Sequence, residues 1–184
     1  RFPVHAILSN ETLAPDVYRL WVEAPVVARK RRPGQFVIIR VDEDGERIPL
    51  TIADTDQVRG AIALIVQGVG KTTIQLNSLA PGAHLLDVAG PLGRPTHIEP
   101  GASVCCIGGG IGTAVVYPIA CGVKSIGGHV TAIVGARTRD LVILEQELRE
   151  VADACIVTTD DGSYGQHGLV TEALQKLIDE GAKF

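Results

Sequence analysis

The run Ser103-Val104-Cys105-Cys106-Ile107-Gly108-Gly109-Gly110-Ile111-Gly112-Thr113-Ala114 decides the fold of the second half of the chain. Ser103 to Ile107 is apolar and β-rich enough for a buried strand, and the residues after Thr113 suit a helix. Between them, Gly108 to Gly112 form a glycine-rich strand-to-helix turn. Glycine permits a tight turn there and lets a pyrophosphate approach the backbone N–H groups at the positive end of a helix. A dinucleotide is the favoured ligand; the alternative is a closely packed turn that binds nothing. The fit to G-x-G-x-x-G is imperfect, because Thr113 stands where the third glycine would be.

Working outward, Val130 to Val134 and Ala154 to Val157 read as two further buried strands with helical sequence between them. Strand and helix alternating in this way imply a parallel α/β sheet over residues 98–184. Leu141, Leu144, Leu148 and Val151 keep helical spacing, as do Val170, Leu174, Leu177 and Ile178, with Thr171 and Gly181 as caps of the last helix. No acidic residue follows the second strand, where Gly135-Ala136-Arg137 stands instead. Asp160 and Asp161 follow the third. Carboxylates at a nucleotide ribose accept its hydroxyls and repel a 2′-phosphate, which favours NAD over NADP. An Asp-Gly turn with solvated acids explains the same residues. A sheet of three strands, with a final helix poised to lead into a fourth, makes a C-terminal segment beyond Phe184 expected. The start at Arg1 rather than Met suggests the same of the other end.

Residues 1–97 have a different rhythm. His5 to Leu8, Tyr18 to Val22, Gln35 to Val41 and Ala61 to Val66 are short β-rich runs punctuated by Pro, Gly and Asp, which predicts an antiparallel β-barrel. Within this half, Gly70-Lys71-Thr72-Thr73 resembles the tail of a P-loop. The first glycine of that pattern would fall at position 65, which is Ile65, and the surroundings are β rather than βαβ. A nucleoside triphosphatase is therefore disfavoured. A helix starting at Gly70, followed by Ile74, Leu76 and Leu79, would still suit the phosphate of another ligand.

Composition narrows the function classes. The 184 residues are 46% hydrophobic and 21% charged, which excludes disorder, and no run of 18 uncharged apolar residues offers a membrane span. A net charge of −4 and seven aromatics argue against a nucleic-acid partner. The two halves carry net charges of +1 and −5. Arg29-Lys30-Arg31-Arg32 reads as a solvated loop, with steering of an acidic redox partner as the alternative. Cys105, Cys106, Cys121 and Cys155 show no metal-ligand or disulfide spacing and read as reduced, buried thiols of a cytoplasmic protein. No metal site is encoded.

Arg32-Pro33-Gly34-Gln35-Phe36, Pro49-Leu50-Thr51, Gly68 to Thr73, Gly90-Pro91-Leu92-Gly93, Gly108 to Ala114, Val116 to Ala120, Gly135-Ala136-Arg137 and Thr159 to Gly165 together resemble the ferredoxin-NADP reductase superfamily. The likeness is greatest to the small FAD subunits of NADH-dependent ferredoxin:NADP oxidoreductases, with the electron-transfer subunits of dihydroorotate dehydrogenase B as near relatives. It implies an FAD-binding β-barrel domain at 1–97 and an NAD(P)-binding α/β domain at 98–184, incomplete at its C-terminus. Thr51 is then implied to hydrogen-bond flavin N5, with Pro49 and Leu50 beside the ring and Val66 and Gln67 on a second lining strand. The family's pyrophosphate arginine falls at Ile48, with Arg47 one residue early, so Gly70, Lys71, Thr72 and Thr73 take on the FAD phosphates. Gly108, Gly109, Gly110, Ile111, Gly112 and Thr113 match the nicotinamide-nucleotide loop, and Gly135, Ala136 and Arg137 the adenine side. Asp160 and Asp161 stand where NADP-using relatives place Ser and Arg, which strengthens NAD.

The resemblance further implies hydride transfer from NADH to FAD and electron transfer onward. The onward route is a two-iron, two-sulfur cluster, a larger iron–sulfur/flavin partner subunit and, ultimately, ferredoxin. None of the four cysteines matches the cluster's ligands, which would lie beyond Phe184. Two alternatives stay open: the electron-transfer subunit of dihydroorotate dehydrogenase B, and a non-catalytic scaffold that keeps the flavin fold.

Overall fold

A computed structural model of the chain describes residues 5–184; the start at Arg1 lies outside them. The chain divides into two compact units, with the boundary in sequence between Thr96 and His97.

The first unit has strands β1 (Ile7–Ala14), β2 (Val17–Glu23), β3 (Phe36–Arg40), β4 (Arg47–Asp56), β5 (Ala61–Gln67) and β6 (Asp87–Leu92), with helices α1 (Pro25–Lys30) and α2 (Lys71–Asn77). They form one antiparallel sheet in the order β1-β2-β5-β4-β3-β6. Period-2 alternation sends Leu20 and Val22 of β2, and Val37 and Ile39 of β3, into a core shared with Ile52, Ile62, Leu64 and Val66. Each such side chain gains roughly 1.5–3 kcal/mol from leaving water. β5 is buried at six consecutive residues, as befits a strand with neighbours on both edges. Between the end strands β1 and β6 there is no ladder. An isolated bridge, Ala6 to His84, stands there instead, extended by Ile7 N–H to Ala83 C=O and Leu85 N–H to His5 C=O.

The second unit has β7 (Ser103–Gly109), α3 (Thr113–Ser125), β8 (His129–Ala136), α4 (Glu145–Val151), β9 (Ala154–Thr159), β10 (Gln166–His167) and α5 (Val170–Asp179). Its sheet is wholly parallel, in the order β10-β9-β8-β7. Four strands therefore stand where the sequence predicts three. The extra one, β10, is two polar residues long and returns beside β9 without a helix between, so no apolar run marks it. Helix α4 is shorter than its spacing predicts. Leu141 ends a 3₁₀ turn, and Leu144 sits outside the helix at φ +58°. Burial of Ile143 and Leu144, at 3% and 5% exposure, sets that segment's path ahead of its helical period. Thr171 lies inside α5, not at its cap. Leu169 precedes the helix, and its N–H donates to the Glu172 carboxylate at 2.8 Å. Gly181 does follow the helix at φ +91°.

The second core gathers Cys106, Ala120, Val123, Val130, Ala132, Val134, Leu148 and Val157. Of the four free cysteines only Cys106 is buried. The other three are half-buried, since their positions flank the core rather than enter it. Burial pushes the Cys106 thiol up to about 11, an inert state at neutral pH. At the start of β8, the Asp153 carboxylate accepts from Lys124 Nζ at 2.8 and 3.0 Å and from Val130 N–H at 2.8 Å, tying α3, β8 and the approach to β9 together. These bonds hold its carboxyl down at about 2. Among the described residues, no helix is long and apolar enough to cross a membrane.

Candidate functional site

In the first unit, the pleat of β4 separates the residues that the resemblance groups together. Ile48 and Leu50 pack against the core and Ile52 enters it, so Arg47, Pro49 and Thr51 share the opposite face. Leu50 thus lies on the far side of the strand from Pro49 and Thr51. Thr51 is half-exposed, and its hydroxyl has no hydrogen-bond partner among the described residues. Arg47 is engaged with Asp87 at 2.6 Å, an exposed pair whose guanidinium holds the Asp87 carboxyl below its ordinary range. Val66 is a core residue at 1% exposure, while Gln67 at the strand end is half-buried.

Gly70 is the extended residue before α2, and Lys71, Thr72 and Thr73 form the first helical turn. Their N–H groups have no backbone acceptor within the helix. The Thr73 hydroxyl is already committed, accepting from the N–H groups of Val69 and Gly70 at 3.0 Å each. The turn lines an open cavity of about 470 Å³ together with Asp42, Asp44 and Glu46. Asp42 accepts from Gln75 at 2.6 Å, and Glu46 lies 3.5 Å from the Thr72 hydroxyl. Phosphates at this turn would draw on Lys71 and the free N–H groups against three neighbouring carboxylates. Nothing in the spacing of 42–46 points to that arrangement, because it arises from a loop folding onto a helix 25 residues later.

In the second unit, the glycine turn divides into packing and open positions. A Cβ on Gly108 would lie 2.6 Å from Thr113 Cα, so this glycine exists for the close approach of strand and helix. A Cβ on Gly109, Gly110 or Gly112 would meet no atom within 4 Å. Gly110 also needs its glycine for φ +53°. Ile111 is 36% exposed beside them, and the Thr113 hydroxyl is fully buried without a partner. An unpaired buried hydroxyl at the start of a 13-residue helix is costly unless a ligand or water meets it.

Gly135 and Ala136 are buried at the end of β8, and a Cβ on Gly135 would lie 2.3 Å from Val170 of α5. Gly135 therefore serves helix-to-sheet packing. Arg137 is exposed. Asp160 and Asp161 donate backbone N–H bonds to the carbonyls of Ala136 and Arg137, at 3.0 and 3.2 Å, which brings the two predicted nucleotide segments side by side. The two acids then differ. Asp161 accepts from the Ser163 N–H at 3.0 Å and hydroxyl at 2.6 Å, bonds that lower its pKa, whereas Asp160 is exposed with no side-chain partner among the described residues. Tyr164 fixes the same loop. Its hydroxyl donates to Glu145 at 3.0 Å, and Arg139 lies over its ring at 5.3 Å.

Two positions carry no role in the sequence reading. The Thr158 hydroxyl, beside Gly135, is buried and unpartnered; a polar residue at the end of an apolar strand was its only signal. Gln35, 9% exposed, is hydrogen-bonded through both ends of its side chain. Its signal was its place directly after a Pro-Gly turn.

No family model matches the chain. It is 46% identical over 177 residues to a dihydroorotate dehydrogenase B (NAD(+)) electron transfer subunit homolog of Thermotoga maritima, covering 96% of this chain and 62% of that one. It is 34% identical over 176 residues to the dihydroorotate dehydrogenase B (NAD(+)) electron transfer subunit of Geobacillus thermodenitrificans, covering 92% and 68%. Among solved structures, the NADH-dependent reduced ferredoxin-NADP oxidoreductase, studied for flavin-based electron bifurcation, superposes with a TM-score of 0.91 at 44% identity. That match covers 98% of this chain and 65% of the solved one. The ferredoxin reductase of carbazole 1,9a-dioxygenase, at 18% identity and a TM-score of 0.78, shares the fold alone. The chain thus spans 62% of the Thermotoga relative, 65% of the solved oxidoreductase and 68% of the Geobacillus subunit, and over that span it belongs to the family of dihydroorotate dehydrogenase B electron-transfer subunits, within the ferredoxin-NADP reductase superfamily.

Proposed function

We propose that this chain is the FAD- and nucleotide-binding part of an electron-transfer subunit that takes a hydride from NADH and passes electrons to an iron–sulfur centre, a larger partner subunit and ultimately ferredoxin. The observation that carries this reading is the turn in the second unit. Gly109, Gly110 and Gly112 face open space there, and the buried Thr113 hydroxyl lacks a partner. That is the fit expected of residues meant to approach a dinucleotide's pyrophosphate.

Bound FAD would supply the redox chemistry. The chain's own residues bind and orient. The unpartnered Thr51 hydroxyl would offer a hydrogen bond to flavin N5 without acting as acid or base, and Pro49 on the same face would lie beside the ring. Lys71 and the first-turn N–H groups of α2 hold the phosphates. Asp160 and Asp161 stand at the nucleotide ribose, where Asp160 has free oxygens for the hydroxyls and both charges repel a 2′-phosphate. Among the described residues, no group of three His, Cys, Asp or Glu is placed to hold a metal ion.

The test is an anaerobic titration of the full-length protein with NADH and then NADPH, following flavin absorbance. Bleaching by NADH in preference is expected. Protein that stays colourless when FAD is added would refute the reading in favour of a scaffold, and bleaching by NADPH alone would refute the role of the acidic pair. Thr51→Ala is expected to retain FAD while slowing single-turnover reduction by NADH. The names of the Thermotoga and Geobacillus relatives favour a second reading, a subunit serving dihydroorotate dehydrogenase. Dihydroorotate oxidation by the purified native complex would select it.

A further inference from the structure

Thr51 stands where β4 changes partners. Arg47 to Thr51 pair with β3, ending at Thr51 opposite Phe36, and from Ile52 onward the strand pairs with β5 through a register shift between Ile52 and Asp54. At such a corner the ladder does not by itself fix the peptide that follows Thr51. Two groups outside the ladders hold it. The Ile52 N–H donates to the Gln35 carbonyl at 3.2 Å, and the Ile52 carbonyl accepts from Arg31 Nη2 at 3.3 Å. Gln35 is itself fixed by its side chain, whose Oε1 accepts from Arg32 N–H and whose Nε2 donates to the Gly93 carbonyl, both at 2.9 Å. Its N–H donates to the Arg32 carbonyl at 3.3 Å. Gly93, in turn, lies against the Phe36 ring, 2.9 Å from where its Cβ would be.

We propose, resting on the flavin reading above, that Gln35 is a positioning residue for flavin reduction. Its amide pins the Arg32–Gly34 turn to Gly93, its carbonyl thereby holds Ile52 N–H, and the Thr51 hydroxyl is aimed as a result. The amide is needed in both its capacities, accepting at one end and donating at the other, in a largely buried position. A carboxylate of the same shape keeps the acceptor but turns a second acceptor on the Gly93 carbonyl. Protonated, a carboxylic acid restores the donor. That repulsion and burial raise the pKa of a carboxyl placed here, so the donor returns on mild acidification.

The experiment compares the full-length flavin-loaded protein with Gln35→Glu, measuring single-turnover flavin reduction by NADH from about pH 8 down to about pH 5.5. Bound flavin is quantified in each sample. Gln35→Glu is expected to reduce about tenfold more slowly at the alkaline end, with undiminished flavin content, and to recover toward the wild-type rate as pH falls. A pH-independent rate equal to wild type would overturn the proposal, as would a rate loss that follows flavin loss and ignores pH. If Gln35→Glu does not fold, Arg31→Lys tests the other clamp on the same peptide. Slower reduction with flavin retained is expected there, and an unchanged rate overturns the proposal. Wild-type flavin that NADH does not bleach refutes the underlying reading instead, and is recognised before any variant is compared.

Discussion

Asp153 concentrates three hydrogen bonds from two elements on one exposed carboxylate, and its ionised form is what those donors require. Because its folded pKa of about 2 lies below the ordinary 3.8, its contribution is complete above about pH 4 and disappears as pH falls toward 2. Thermal melting between pH 6 and pH 2 is expected to show an acid-side loss in the wild type that is smaller in Asp153→Asn, which starts lower at neutral pH. The two neighbouring acids of the nucleotide segment separate at the same scale. Asp160→Asn is expected to move the NADPH-to-NADH preference severalfold toward NADPH with an unchanged melting temperature, one lost charge interaction at an exposed site being worth up to about 1 kcal/mol. Asp161→Ala is expected to lower the melting temperature, because it removes the acceptor that organises Ser163. A melt and a pair of titrations check both.

The glycine turn makes the corresponding distinction for an element. Gly108→Ala puts a methyl group 2.6 Å from backbone and is expected to destabilise the second unit by about 1–3 kcal/mol in urea unfolding. Gly112→Ala, at φ −60° and facing open space, is expected to leave stability nearly unchanged while raising KM for NADH severalfold. Much of this element was legible: an apolar run, a glycine turn and a helical stretch follow one another in the sequence as they do in space. What escaped was whatever depends on distant contacts. The two polar residues of β10 become a strand only because β9 offers its edge, and Leu144 leaves the helix because the core holds it. Gly135 looks like a ligand glycine in sequence, and only the arrival of α5 35 residues later makes it a packing glycine. On β4, alternation alone separates Leu50 from Pro49 and Thr51, and that much the sequence contained.

For the whole molecule, the two units each bury their own apolar cluster, one around Leu64 and Ile52, the other around Leu148 and Val134. Leu64→Ala and Leu148→Ala each remove a side chain with 0% exposure, and each is expected to cost about 2–5 kcal/mol in its own unit. Hydrogen exchange mapped along the chain checks whether protection falls mainly within the mutated unit. The boundary between them has a further meaning. Thr96 donates its N–H to the Pro33 carbonyl at 2.9 Å, and its hydroxyl occupies the space a side chain at Gly34 would need. The last residue of the first unit is thus structurally part of the Pro-Gly turn that begins 63 residues earlier, and the seam at which recombination could graft a foreign second half lies after Thr96, not before it. Crossovers a few residues upstream would sever that turn from its partner, and lineages shuffling these halves should show their joints crowded just downstream of it.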